Sequence, residues 1–293
     1  MVIFQREKRL KTCLKCQNII EFFYNKRSVN YMKIYALMEN ISHDECLACE
    51  HGLSLYIEAD GKKILFDTGA SEKFAENAEK MGVDLKAVDF AAISHGHYDH
   101  GGGLAKFIEL NDHAPIYISD KGFNQYYSGT DFNVSIPEGL EGNERFVLTN
   151  APIKLSENIT LLNCNDREAK YFADPYGLNK LVDGEFIPDD FLHEQYLIIE
   201  ENGKRIVISG CSHKGILNIM EWLKPDILIG GFHFFRLTTE GEDAATLDKS
   251  ATILNEYGAT YYTCHCTGTE QYEYLKAQMP KLNYIATGDI IEF

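Results

Sequence analysis

The chain has 293 residues, 45% of them hydrophobic and 12% aromatic, enough to bury a core in one large α/β domain or two small ones without disulfide staples. Its 28 basic and 44 acidic side chains give a formal charge of -16, which repels polyanions and argues against nucleic acid as a partner. Every apolar run is broken by Lys, Glu, Asp or Gly before the roughly 18 to 20 residues that span a bilayer, so a soluble, cytoplasmic protein is expected, its eight cysteines reduced.

Residues 1–31 are basic where the remainder is acidic, and Met32 follows at once, so this segment reads as an extension and Met32 as the natural start. The short apolar run from Met32 reads as a first strand. Strands are then predicted at 53–58 and 63–67, a helix at 71–81, a strand at 90–94, a helix at 104–110 and a strand at 115–119. Further strands are predicted at 146–149, 159–163, 196–200, 205–209, 226–229, 260–263 and 284–286, with helices at 216–223, 244–257 and 270–279. Helices between strands in both halves predict a layered α/β sandwich. Residues 120–190 loosen into Gly, Asn, Asp and aromatic residues, the composition of a lid or binding loop.

The strand at 90–94 runs into His95-Gly96-His97-Tyr98-Asp99-His100, three imidazoles and a carboxylate within six residues. In a strand-to-helix turn His95 and His97 can point the same way while Asp99 and His100 project behind them, so two adjacent metal positions can be served. This donor set suits one or two divalent transition-metal ions, Zn foremost, with Fe or Mn as alternatives. Six residues cannot close two coordination spheres, and His213 and His265, each placed between an apolar strand and a helix, are the candidates to complete them. His233, after the strand at 226–229, reads either as an acid or base facing substrate or as a histidine packed among Phe232, Phe234 and Phe235. Glu50 and His51 precede a strand where a loop can reach the same site, and Glu194 and Gln195 can order it from behind. Cys13/Cys16 and Cys46/Cys49 imitate half-sites of a zinc ribbon, but a start at Met32 removes the first pair and the second lies in an acidic loop without a partner.

The run from His95 to His100 resembles the HxHxDH signature of the metallo-β-lactamase superfamily, and Asp67-Thr68-Gly69 is similar to its DTG element, whose Asp orients a ligand from behind. GCSHKGILNI, with Glu50-His51-Gly52-Leu53-Ser54, Gly230-Gly231-Phe232-His233 and the run from His265 to Gly268, resembles the subgroup named for dihydropterin-methyl ribofuranosylaminobenzene phosphate synthase, over residues 32–293. The resemblance implies a four-layer αββα sandwich. It also implies one ion on His95, His97 and His213 and another on Asp99, His100 and His265, with Asp99 steering the attacking group. The implied reaction is transfer of a ribosyl group to a pterin, on a small anionic substrate that carries phosphate. Hydrolysis of a phosphodiester, phosphate ester or lactone is the runner-up, and a non-catalytic ligand sensor is the alternative from another class. Many dinuclear members of the superfamily bridge the ions with the Asp of a Gly-Asp pair, which reads Gly210-Cys211 here. Three options stay open: a Cys211 thiolate ligand, His213 in its place, or a weakly held second ion.

Overall fold

The computed structural model describes residues 32–293, so the expected extension at 1–31, Cys13 and Cys16 included, lies outside the described residues. One seven-stranded sheet runs β18 (Ile290–Glu292), β1 (Lys33–Met38), β2 (Ser54–Ala59), β3 (Lys62–Phe66), β4 (Phe90–Ala92), β5 (Ile116–Ser119) and β8 (Phe146–Thr149). The other runs β17 (Leu282–Tyr284), β16 (Thr260–Thr263), β15 (Ile227–Ile229), β14 (Lys204–Ile208), β13 (Tyr196–Glu201), β10 (Ile159–Leu162) and β9 (Ile153–Lys154). In each sheet the strands on one side pair antiparallel and those on the other, β3 to β8 and β14 to β17, pair parallel.

Strand alternation gives each sheet two apolar faces. Ile34, Leu55, Ile57 and Phe66 meet Leu197, Ile199, Ile206 and Ile208 in a core between the sheets. The opposite face of the first sheet packs on Phe74 of α1 (Lys73–Lys80) and on Leu104 and Phe107 of α3 (Leu104–Leu110), which follows the single turn α2 (Tyr98–Gly101). The opposite face of the second packs on Ile219 of α4 (Ile216–Leu223), Leu254 of α5 (Gly241–Glu256) and Leu275 of α6 (Thr269–Lys276). The result is the expected four-layer αββα sandwich. Each fully buried Leu, Ile or Phe contributes roughly 1.5–3 kcal/mol, so these three clusters dominate stability. No helix among the described residues is long and apolar enough to cross a membrane.

Two expectations need correcting. Residues 120–190 are not an irregular lid, for they carry a small four-stranded sheet of β6 (Tyr126–Ser128), β7 (Phe132–Asn133), β11 (Leu178–Val182) and β12 (Glu185–Pro188). Its strands are short and β12 is exposed throughout, so no apolar alternation marks them in the sequence. The first helix begins at Lys73 rather than 71, because Glu50 takes both the amide and the hydroxyl of Ser71.

Candidate metal centre

Parallel strands that end on one edge leave a crevice at their carboxyl ends, where α/β sheets bind ligands. Here both sheets open on the same crevice, and the segments that follow β3, β4, β14, β15 and β16 each carry a polar residue that belongs to it.

In the first half, Asp67 follows β3 in the left-handed region (φ 60°) and is fully buried. Its carboxylate accepts from the Ser94 amide and hydroxyl, both at 2.7 Å, and lies 2.7 Å from His100 Nδ1. Ser94 Oγ is also 2.8 Å from His95 Nδ1. Two imidazoles are therefore oriented through their far nitrogens, the role expected of Asp67. The turn that carries them is packed without slack: a Cβ on Gly103 would stand 2.3 Å from the Thr68 carbonyl oxygen.

In the second half, buried carboxylates hold the backbone of the two distant histidines. Glu194 Oε1 accepts from the His213 amide at 2.6 Å, and its other oxygen accepts from Lys214 and from the Tyr196 hydroxyl. Glu39 Oε1 accepts from the His265 amide at 2.5 Å and from the Tyr284 hydroxyl at 2.8 Å, while Asn40 Oδ1 lies 2.8 Å from His265 Nδ1. Gln195 ties the halves together by donating from its amide to the Ser94 carbonyl and from its side chain to the Ile93 carbonyl. Gly210 lets the end of β14 lie on this network, since a Cβ there would come within 2.2 Å of Ser94 Oγ.

The six imidazoles and carboxylates expected at the site converge in two groups. His213 Nε2 stands 3.2 Å from His95 Nε2, and His97 has a nitrogen within 4.8 Å of both. His265 Nε2 stands 3.2 Å from His100 Nε2 and 3.2 Å from Asp99 Oδ2, which is 3.8 Å from His100 Nε2. Cys211 Sγ, 3.2 Å from His100 Nε2 and grouped also with His95, lies between the two sets, where the bridging Asp was missing. His51 reaches Asp99 Oδ2 at 3.2 Å from the exposed side and joins it and His265 in a third convergent group.

This arrangement fits metal ions. Two ligands each roughly 2.0–2.1 Å from a tetrahedral ion stand about 3.4 Å apart, close to both nitrogen–nitrogen approaches. His97 Nε2 is buried without a hydrogen-bond partner among the described residues, as a nitrogen reserved for an ion would be. Protonation does not spoil the donors. Burial, then neighbouring imidazoles, hold His95 and His213 well below the usual histidine range, and burial brings His97 to about 3 and His265 to about 4. Burial pushes the Asp99 carboxyl up, yet His100, His265 and His51 outweigh it and keep it ionised. His100 is the exception: burial opposes its charge, but Asp67 and Asp99 outweigh burial and raise it, so an ion at Nε2 would have to displace a proton there.

The structure does not bring every candidate inward. Glu50 turns away: its oxygens accept from Ala70 and Ser71 and pair with Lys73 at 3.3 Å, so it fixes the start of α1. Cys46 and Cys49 are exposed, free and part of none of the convergent groups. His233 is buried with its ring 4.2 Å from that of His213, and burial lowers it to about 3. Sequence reasoning missed Glu39, Asn40, Ser94, Asp189 and His193. The last two form a buried pair, His193 Nε2 to Asp189 Oδ2 at 3.0 Å, with His97 Nε2 3.9 Å from the same oxygen. Glu39, Asn40 and Ser94 share one sequence signal, a polar residue just past an apolar strand, whereas Asp189 follows the exposed β12 and shares none.

Comparisons with known proteins agree with this geometry. Residues 48–236 match the family described as the Metallo-beta-lactamase superfamily. The chain is 31% identical to the 7,8-dihydropterin-6-methyl-4-(beta-D-ribofuranosyl)-aminobenzene-5'-phosphate synthase of Methanocaldococcus jannaschii, over 83% of this chain and 90% of that one. An uncharacterised protein of the same organism is 28% identical over 88% of this chain and 99% of its own length. A crystal structure described as a metal-dependent hydrolase of the beta-lactamase superfamily superposes with a TM-score of 0.73 at 29% identity, covering 89% of this chain and 99% of that one.

Proposed function

The chain belongs to the metallo-β-lactamase superfamily, and from that premise we propose that it is an enzyme with one or two divalent transition-metal ions, Zn foremost and Fe or Mn as alternatives, acting on a small anionic substrate. One ion would be held by His95, His97 and His213, the other by Asp99, His100 and His265, with Cys211 between them and His51 at the mouth. The observation that carries this reading is the meeting of His213 with His95 and of His265 with His100, nitrogen to nitrogen, from opposite halves of the fold. When bound, such ions supply Lewis acidity toward a phosphoryl or carbonyl oxygen and make water nucleophilic near neutral pH.

The protein's own groups do the rest. Asp99, charged at the centre, orients the attacking group. His233 lines the same cavity of about 190 Å³ as a neutral imidazole, able to take or give a proton at a substrate atom. Arg236 is the one permanent cation among the described residues lining that cavity. In a chain of charge -16 it gives a phosphate or carboxylate a local partner.

The finer reading is group transfer, a ribosyl-bearing group passing to a pterin, and the named synthase supports it at 31% identity. Hydrolysis of a small phosphodiester, phosphate ester or lactone is the second reading, favoured by the resemblance to the solved hydrolase. Elemental analysis after gentle purification should find one or two transition-metal ions per chain. A chain that stays metal-free after incubation with Zn, Mn and Fe rejects the whole reading. Turnover that requires a pterin acceptor selects transfer, and turnover with water alone selects hydrolysis.

A further inference from the structure

Beside the donors Asp99, His100 and His265 stands one further imidazole. His51 Nε2 lies 3.2 Å from Asp99 Oδ2. The same oxygen is 3.2 Å from His265 Nε2 and 3.8 Å from His100 Nε2, and those two nitrogens are 3.2 Å apart. Donors roughly 2.0–2.1 Å from a tetrahedral ion stand about 3.4 Å from one another, so these four approaches are four of the six edges of one tetrahedron. His51 and His265 also offer ligand atoms within 4.8 Å of each other, a fifth edge for an ion to draw in. The position at His95, His97 and His213 gains no such donor among the described residues. His193 has both nitrogens engaged, Nδ1 by the Gly96 amide and Nε2 by Asp189, and His233 joins none of the convergent groups. Cys211 is grouped with His95 and His100 together, so it belongs to neither position alone.

The loop that carries His51 is fastened on both sides of it. Glu50 is tied to the start of α1 through Ala70 and Ser71, and the Leu53 amide donates to the Asp99 carbonyl at 3.1 Å. Asn40 Oδ1 accepts from the Gly52 amide at 3.3 Å and stands 2.8 Å from His265 Nδ1, so the loop and the His265 ring share one support. The two rings lie against each other, centroids 4.7 Å apart. All this fastening delivers a side chain that is still 49% exposed to a carboxylate oxygen. A contact of that kind between exposed groups adds little stability by itself, and it becomes strong only where a cation joins the two donors.

We infer that His51 is a fourth protein ligand of the ion at Asp99, His100 and His265. The inference rests on the metal reading and makes its two positions unequal. The position that includes His51 is closed by four protein donors, as structural sites are, and the position at His95, His97 and His213 keeps an open place, as catalytic sites do. The closed position holds its ion more tightly and gives it up last to a chelator. Its ligands also depend on each other: His51 rests on the His265 ring, so His265→Ala unseats His51 as well and empties the position.

The test is titration with zinc and with cobalt(II) of the full chain carrying Cys211→Ala, which removes the thiol between the two positions from the spectrum. His51→Ala, His51→Gln and His51→Cys are each added to it, and the half-exposed side chain makes all three safe for folding. His51→Ala and His51→Gln should both loosen one of the two ions by about tenfold or more and leave the other as it was. His51→Cys should recover affinity and add a near-ultraviolet sulfur-to-cobalt charge-transfer band. A hydrogen bond from His51 to Asp99 makes the same 3.2 Å contact without an ion, but it predicts otherwise: Gln still donates and keeps the affinity, and Cys gives no band. Unchanged affinity in His51→Gln, or absence of the band in His51→Cys, overturns the inference while two bound ions leave the metal reading standing. A chain that takes up no ion overturns both.

Discussion

The first half of the chain delivers His95, His97, Asp99 and His100 from one strand-turn-helix junction, whereas the second half delivers Cys211, His213, His233 and His265 from the ends of three separate strands. The means of holding them differ accordingly. Asp67 and Ser94 grip two imidazoles of the first group, His100 and His95, by their far nitrogens, so that group is oriented by side chains just past two neighbouring strands, β3 and β4. Glu194 and Glu39 grip the second group by its backbone, and only the register of β14, β15 and β16 brings those backbones to the centre. A cluster encoded locally tolerates rearrangement elsewhere; one assembled from strand ends forms only when the second sheet is complete. Metal affinity should therefore report the folding of the second half more faithfully than that of the first.

Acid should break both halves together and have the largest effect. In the metal-free protein five imidazoles, those of His95, His97, His213, His233 and His265, resist protonation more than they would unfolded, chiefly through burial. The unfolded chain takes up protons on these imidazoles as pH falls through about 6.5, while in the folded chain His97, His233 and His265 do not until about 4 to 3 and His95 and His213 stay well below the usual range, so stability is full above that window and is lost on descent through it. His100, raised by Asp67 and Asp99 against its burial, works in the opposite sense but is one against five. Thermal melts of the metal-free chain should show Tm falling steeply between pH 7 and 4; a flat profile would mean that these histidines are wetter than the structure has them.

Asp67→Ala should come next, striking the first half. It leaves the Ser94 amide, the Ser94 hydroxyl and His100 Nδ1 without their acceptor in a fully buried place. A loss of about 3–5 kcal/mol in denaturant unfolding is expected, together with weaker binding at both metal positions. Glu194→Gln tests the second half more gently, because the amide keeps one acceptor and loses the charge. About 1–3 kcal/mol should go, with metal affinity falling at the position of His213 and holding at that of His265. Equal losses at the two positions would show that the halves are not held independently. Cys46→Ser with Cys49→Ser touches neither half, and stability should stay within about 0.5 kcal/mol with metal content unchanged.

The sandwich was legible because its long strands and helices carry strong apolar periodicity: α3, α4, β8 and β16 fall on the predicted residues. The small sheet was not, because β7 has two residues and β12 buries none, so its partners are set by backbone pairing that composition does not record. At the site, the run from His95 to His100 declared itself through local density, and His213 and His265 through their place after apolar strands. Glu39 and Asn40 also stand just past an apolar strand, but that place alone did not say what they serve. Their duty is to His265, more than two hundred residues away, and nothing near them in sequence shows it. Asp189 and His193 are similar, since His193 earns its place by stacking on Tyr126 of the small sheet, centroids 4.0 Å apart. Glu50 failed in the other direction: an acid beside a histidine looked like a site residue and proved to hold a helix start.

The central claim, that two metal positions form where the halves meet, is tested most directly by metal titration of His213→Ala and His265→Ala beside Cys211→Ala and His233→Ala. His213 should be lost from the set of His95 and His97, and His265 from that of Asp99 and His100, so each of these two variants should retain about one ion and lose most activity. Cys211→Ala and His233→Ala should keep both. Full two-metal binding by His213→Ala, with an ion lost in Cys211→Ala instead, would contradict the account.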